Sequence, residues 1–276
     1  MARYRLTIEY AGTRYSGWQR QKNARTVQGE LDRAIRDVTG DNEFELYGAG
    51  RTDAGVHAAG QVAHLDVRTM LPPSALRDRL NDALPADINV LDARAAPHRF
   101  HARHSAVGRR YVYQIAKRRT AFGKPFVWWV REPLDVEAMR TAARLFVGMR
   151  DFRSFAHADR TDRDHDDGEG DVPSTLVLVE RLDVLEFDDL LLIVVEGSHF
   201  LWKMVRRLVG VLVEVGRGGL APPQAGALLT SSSGEPARLT APASGLFLDY
   251  VRYADDRVAV SVRPPTPVGG HAGRSG

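Results

Sequence analysis

Alternating and helical patterns of apolar residues divide the chain into a series of short elements. From Arg3 to Tyr10 every second side chain is apolar or aromatic, which predicts a strand with one buried face. Thr26 is placed to cap a helix whose apolar residues recur every three or four positions, and Gly40 is placed to end it. The other elements predicted in this part are strands at residues 43–47, 61–67 and 88–93 and a helix that begins at Pro72.

The second part of the chain repeats this β-α-β-β-α-β order. In residues 110–116, Tyr111, Tyr113 and Ile115 alternate with Arg110, Val112 and Gln114, which predicts a strand with one apolar face. The elements predicted after it are a helix from Asp135 to Gly148, a hairpin of residues 175–186 and 190–196 that turns at Asp188 and Asp189, helices at 200–215 and 223–229, and a strand at 246–253. Two such units in tandem predict an α+β protein of two ferredoxin-like halves with a mixed, mainly antiparallel sheet.

These patterns divide the chain into two domains and a tail. We predict an N-terminal half at residues 1–105, a C-terminal half at residues 106–254 and a flexible tail at residues 255–276 that is rich in proline, glycine and arginine. The length of 276 residues agrees with two domains of about 150 residues each.

Composition narrows the class of protein. No apolar run approaches the roughly 20 residues of a membrane span, and no signal stretch or cysteine is present, so we expect a cytoplasmic protein without disulfides or thiolate metal sites. Residues 93–120 hold eight basic residues, three histidines and no acid, whereas residues 159–171 hold seven acids. This segregation predicts one surface for an anionic partner and one acidic loop kept away from it. A general bias of composition toward arginine is an alternative explanation for the many arginines in the chain.

The glycine-rich segment from Gly48 to His57 is the strongest candidate for chemistry. Its small residues permit tight turns and the close approach of a ligand, and it places Asp53 near Arg51 between two predicted strands. Clustered backbone N–H groups would keep Asp53 ionised and therefore nucleophilic. The alternative is an ordinary Asx turn.

The sequence from Gly50 to Ala58, GRTDAGVHA, resembles the signature of the tRNA pseudouridine synthase A family. Further motifs that resemble the family, in the same order along the chain, are Gly17-Trp18-Gln19-Arg20-Gln21, Thr26-Val27-Gln28, Gly60-Gln61-Val62-Ala63-His64, Leu84-Pro85-Ala86-Asp87-Ile88, Phe100-His101-Ala102-Arg103, Arg110-Tyr111-Val112-Tyr113 and Met204-Val205-Arg206. The resemblance extends over about residues 2–253.

The resemblance implies a pseudouridine synthase fold and the isomerisation of uridines 38, 39 and 40 in the anticodon stem-loop of tRNA. It implies that Asp53 is the catalytic nucleophile, that Arg51 helps to extrude the target base, that Tyr111 stacks on the uracil and that Arg206 pairs with Asp53. It further implies a homodimer that needs no metal or other cofactor. Two routes are compatible with these residues: attack of Asp53 on the ribose, or a glycal-type elimination.

Other functions fit the residues less well. A non-catalytic RNA-binding protein of ferredoxin-like fold is the main alternative, but it has no need of an aspartate in a glycine-rich loop. A glycoside hydrolase uses two carboxylates, and the loop offers only Asp53. His57, His64 and Asp66 lack a firm metal-ligand spacing. We expect His98, His101 and His104, which are interleaved with arginines, to contact phosphate or solvent.

Overall fold

The computed structural model describes residues 1–156, 174–256 and 261–268. The acidic segment at 159–171 lies outside these residues, as do 257–260 and 269–276 of the predicted tail. Packing divides the chain into two compact units, which are residues 1–112 with 243–266 (unit 1) and residues 113–242 with 267–276 (unit 2). The domain boundary at residue 105 follows the sequence repeat and stays a prediction.

The described residues form ten strands and six α-helices. The strands are β1 (Ala2–Tyr10), β2 (Glu45–Gly48), β3 (His57–Val67), β4 (Ile88–Ala95), β5 (Ala106–Ala116), β6 (Trp128–Trp129), β7 (Gly148–Asp151), β8 (Leu176–Phe187), β9 (Leu190–Gly197) and β10 (Leu246–Tyr253). The helices are α1 (Val27–Thr39), α2 (Pro73–Ala83), α3 (Val136–Leu145), α4 (Met204–Gly216), α5 (Pro222–Ala227) and α6 (Glu235–Arg238). None of these helices combines the length and the apolar character needed to cross a membrane.

Unit 1 is built on the strand order β4–β1–β3–β10, with β2 also beside β3. The pairs of β1 with β3, β1 with β4 and β2 with β3 are antiparallel, and β10 lies parallel to β3. Leu6 and Ile8 of β1 are fully buried with the inner faces of α1 and α2. The first six elements therefore have the antiparallel βαββαβ arrangement of a ferredoxin-like unit.

Strand β5 begins in unit 1 and continues from Tyr113 in unit 2, where the strand order is β5–β9–β8–β7, with β6 beside β5. The β8–β9 hairpin is antiparallel and turns at Asp188, whose φ of 42° is in the left-handed region. Helices α3 and α4 pack against each other, and Phe146, Phe152 and Phe155 form a fully buried aromatic cluster. The predicted α+β class with mainly antiparallel strands is confirmed.

Local sequence signals explain where several helices begin and end. The Thr26 hydroxyl accepts a hydrogen bond from the Gly29 N–H at 3.2 Å, and Gly40 follows α1 with a φ of 67°. Asp135 caps α3 in the same way by accepting from the Ala138 N–H at 2.9 Å. The capping residue predicted for α1 is thus confirmed, and so is its glycine end.

Other boundaries differ from the prediction. Helix α3 ends at Leu145, before the predicted Gly148, because Gly148 begins β7 and pairs with Val179. Helix α4 begins at Met204, four residues after the predicted start, since Lys203 has a left-handed φ of 58°. The short elements β6, β7 and α6 were not predicted, because a few residues carry too little periodicity.

The one-sided burial predicted for β5 is wrong. Val112, Tyr113, Gln114 and Ile115 are all fully buried, so both faces of this part of the strand are covered. The polar Gln114 is accommodated because its side-chain amide donates to the Phe126 carbonyl at 2.9 Å. A strand covered on both faces does not show an alternating pattern of exposure.

An ion pair in unit 1 gives a prediction about stability. The Arg3 Nε donates to Asp66 Oδ1 at 2.7 Å, and hydrogen bonding to this guanidinium lowers the pKa of Asp66. We expect Asp66→Asn to lower the free energy of unfolding at pH 7 by about 1–3 kcal/mol, as for a lost hydrogen bond between charged groups. In the parent this contribution is fully present above the unfolded carboxyl pKa of about 3.9 and is lost as the pH falls through the lower folded-state value.

Denaturant unfolding at pH 7 and across the acid range checks this expectation. Asp92→Asn is the matched control, because Asp92 pairs with Arg94 at a more exposed site and its loss is expected to change stability by less than about 0.5 kcal/mol. Equal effects of the two substitutions would contradict the prediction.

Candidate active site

The loop that carries Asp53 joins β2 to β3 and is anchored by backbone hydrogen bonds from other segments. The Trp18 N–H donates to the Thr52 carbonyl at 3.0 Å, and the Gly55 N–H donates to the Tyr15 carbonyl at 3.2 Å. At the start of the loop, the Ala49 N–H donates to Val62 of β3 at 2.7 Å. The backbone on both sides of Asp53 is therefore held in place.

Glycines in the preceding segment allow this close packing. A Cβ on Gly17, which has a φ of 92°, would lie 2.5 Å from the Thr52 carbonyl oxygen. A Cβ on Gly12 would lie 1.9 Å from the Val56 carbonyl oxygen. No side chain fits at either position, so the backbone of residues 12–18 packs directly against the loop.

His57 supports the end of the loop from below. Its ring is fully buried and stacks on Phe247 with a centroid distance of 4.7 Å. Its Nδ1 accepts a hydrogen bond from the Gly12 N–H at 3.0 Å. His57 therefore has a structural role in joining β3, β10 and the segment before α1.

A buried polar network lies under the middle of the loop. The Tyr10 hydroxyl of β1 is 2.7 Å from the Thr52 hydroxyl, and the Gln61 Nε2 of β3 donates to the Gly50 carbonyl at 2.8 Å. Tyr10, Thr52 and Gln61 are 4%, 7% and 0% exposed. Burial raises the pKa of Tyr10, and hydrogen bonds with Thr52 and Gln61 oppose that rise. No local sequence pattern indicates this network, because its members are distant along the chain.

Asp53 and Tyr111 lie near each other within unit 1. Asp53 is partly exposed at the loop, and Tyr111 is a partly buried residue of β5 that packs against the core of the unit. Burial raises the pKa of Tyr111 to about 12, the charge of Arg109 lowers it, and the charge of Asp53 raises it. The predicted nucleophile and the predicted stacking residue thus belong to the same unit, and the charge of one affects the ionisation of the other.

Arg109 was not among the predicted site residues, but it joins two loops beside Tyr111. Its Nη2 donates to the Ala49 carbonyl at 3.2 Å and to the Arg103 carbonyl at 2.9 Å. Burial lowers the pKa of Arg109. The sequence signal that could have found it is its position two residues before Tyr111, on the same face of the strand.

The second loop that Arg109 holds is a turn at residues 101–105, which we call the histidine turn. His101 Nδ1 accepts hydrogen bonds from the N–H groups of Arg103 and His104, both at 3.2 Å. The His101 ring lies between two other imidazoles, with a centroid distance of 4.6 Å to the His64 ring and 4.3 Å to the His104 ring. Burial lowers the pKa of His64 to about 4. Within the described ranges, no group of three or more His, Asp or Glu side chains is arranged to hold a metal ion.

The remaining predicted site residues occupy different places. Arg51 is exposed in the loop of unit 1, two positions before Asp53. Arg206 belongs to α4 of unit 2, where its Nε donates to the Ala241 carbonyl at 2.7 Å. Its pairing with Asp53 stays a prediction, as do the roles assigned to Arg51, Asp53 and Tyr111.

Comparison with known proteins identifies the family. The family profile described as tRNA pseudouridine synthase matches residues 6–105 and 142–254. The chain belongs to the tRNA pseudouridine synthase family. A protein from Syntrophotalea carbinolica named tRNA pseudouridine synthase A is 44% identical over 256 residues, which cover 92% of this chain and 97% of that protein. One with the same name from Nitrobacter hamburgensis is 42% identical over 92% of this chain and 100% of its own length.

A solved structure, that of a Cbf5-Nop10-Gar1 complex, aligns with a TM-score of 0.32 and 12% identity over 76% of this chain and 45% of that chain. This similarity is too low to define a common fold. The family assignment rests on the sequence matches, and it confirms that the chain is an isomerase that converts uridine of tRNA to pseudouridine.

Proposed function

We propose that this tRNA pseudouridine synthase acts on uridines 38, 39 and 40 of the anticodon stem-loop, with Asp53 as its catalytic carboxylate. The observation that carries the role of Asp53 is its position on an anchored, glycine-lined loop, within electrostatic range of Tyr111. A fixed carboxylate with an aromatic ring in the same unit suits a reaction in which a detached base has to be held and turned.

The chemistry needs no other reactant. The bond between ribose C1′ and uracil N1 breaks, the uracil turns, a bond forms between C1′ and C5, and the C5 proton moves to N1 through a base or solvent. In this proposal Asp53 assists bond cleavage, either by attack at C1′ or by promoting elimination. The Tyr111 ring stacks on the uracil, and its hydroxyl lies near C5, where the proton leaves.

Two arginines have proposed roles around Asp53. A base in a stem has to be extruded at a cost of a few kcal/mol, and the exposed guanidinium of Arg51 can occupy the position that the base leaves. We propose that Arg206 pairs with Asp53 and orients the carboxylate.

The basic segment predicted to face an anion supports binding of the tRNA backbone. Within it, His98, Arg99 and His104 are exposed, and the histidine turn is joined to the Asp53 loop through Arg109. Phosphate groups that flank the target nucleotide are natural partners for this surface. The proposal also includes a homodimer, across which one tRNA lies, in the cytoplasm.

Release of tritium from C5-labelled uridine in tRNA transcripts tests the proposal. We expect one tritium per modified site from a tRNA with uridines at 38, 39 and 40, and a stepwise loss when each is replaced by cytidine. Release that is unaffected by all three replacements would exclude the anticodon assignment. Binding of tRNA without any release would favour the alternative of a non-catalytic RNA-binding protein.

A further inference from the structure

We infer that Tyr10 and Gln61 are positioning residues for Asp53, and that they act through Thr52 and Gly50 of its loop. This inference rests on the proposed catalytic role of Asp53. It assigns a function to the buried polar network of Tyr10, Thr52 and Gln61.

Thr52 is the point at which the network can control Asp53. Its carbonyl accepts from the Trp18 N–H at 3.0 Å, and its hydroxyl is 2.7 Å from that of Tyr10. The residue immediately before the carboxylate is therefore fixed through both its backbone and its side chain. Thr52 is 7% exposed, whereas Asp53 is partly exposed, so the support is inside and the carboxylate is within reach of a substrate.

Gln61 holds the loop at a second point. Its Nε2 donates to the Gly50 carbonyl at 2.8 Å, three residues before Asp53. Its Oε1 is buried and has no hydrogen-bond partner among the residues that the structure describes, which is unfavourable for stability. An aliphatic residue at this fully buried position would avoid that cost. The hydrogen bond that the amide donates to the loop explains why a polar side chain occupies this position.

Two strands carry this network, and the ionisation of its tyrosine is coupled to that of Tyr111. Tyr10 lies on β1, interacts with Gln61 on β3, and its ionisation is electrostatically coupled to that of Tyr111 on β5. Hydrogen bonds from β1 and β3 thus set the position of one loop. Since a misplacement of about 1 Å can slow a reaction about 100-fold, loss of this support is expected to act on the chemical step.

The experiment measures single-turnover pseudouridine formation, tRNA affinity and melting temperature in the full chain. We expect Tyr10→Phe, Thr52→Val and Gln61→Leu each to reduce the rate about 10- to 100-fold, with little change in tRNA affinity. Thr52→Ser keeps the hydroxyl and is expected to recover most of the rate. The double variant Tyr10→Phe/Thr52→Val is expected to be no slower than the slower of these two single variants, because both substitutions break the same hydrogen bond.

Tyr4→Phe is the matched control. Tyr4 lies on the same strand, is 5% exposed, and its hydroxyl donates to the Leu71 carbonyl at 3.1 Å, away from the loop. We expect Tyr4→Phe to change the melting temperature as Tyr10→Phe does, with the parent rate retained. Equal rate losses in these two variants would overturn the inference, because the effect would then be one of general stability.

The inference can fail separately from the proposed function. If Asp53→Asn is inactive and Tyr10→Phe turns over like the parent, only the positioning role is refuted. If Asp53→Asn turns over like the parent, the proposed function of Asp53 is wrong, and the positioning role is refuted together with it.

Discussion

Asp53→Asn is expected to abolish pseudouridine formation while tRNA binding is retained. The substitution keeps the size and shape of the side chain and removes the charge that, in the proposed mechanism, assists cleavage of the glycosidic bond. In the proposal, binding depends on many arginines, whereas the chemistry depends on this one carboxylate. We expect a loss in rate of more than about 10⁴-fold, on the scale measured when an essential side chain is removed from other active sites.

Tritium release and tRNA affinity are measured together on the Asp53→Asn protein. Asp78→Asn on α2 is a suitable control, because it removes one acid from an exposed position where Asp78 pairs with its neighbour Arg77. Asp78→Asn should turn over like the parent. Residual turnover of Asp53→Asn near the parent rate would refute the assignment of the catalytic carboxylate.

The elements of this fold could be predicted where local sequence determines them. Thr26 and Gly40 bound α1 because capping and left-handed geometry depend on single residues. The loop around Asp53 was identified for a similar reason, since its glycines are close together in sequence. By contrast, Gln114 is fully buried because other elements cover both faces of β5. The sequence pattern of the strand itself does not indicate those elements.

The supports of the site could not be predicted, because they depend on contacts between distant residues. Tyr10 and Thr52 are hydrogen-bonded although they lie 42 positions apart in the sequence, and Arg109 and Ala49 although they lie 60 positions apart. Each residue alone fits an ordinary strand, and only the pairing of β1 with β3 places Tyr10 under the loop. The role of a strand residue in such a site is therefore visible only after the strands have been assembled.

Tyr111→Phe is expected to preserve folding and tRNA binding while slowing turnover by about 10²- to 10⁴-fold, as for a lost general base. The ring remains to stack on the uracil, but the hydroxyl near C5 is removed. Because the pKa of Tyr111 is raised to about 12, its phenolate is a minor form at neutral pH and becomes more frequent as the pH rises. The parent rate of C5 tritium release should therefore increase between pH 6 and 9, and Tyr111→Phe should lose that increase.

Tyr113→Phe separates this effect from the loss of any tyrosine hydroxyl in β5. Tyr113 is fully buried in the same strand, and its hydroxyl donates to the Pro242 carbonyl at 2.8 Å. Its substitution is expected to lower the melting temperature and to leave turnover unchanged. Tyr111→Leu is expected to be slower than Tyr111→Phe, since it also removes the stacking surface. If Tyr111→Phe instead retains both the parent turnover and the parent melting temperature, Tyr111 is a packing residue, and another group has to accept the C5 proton.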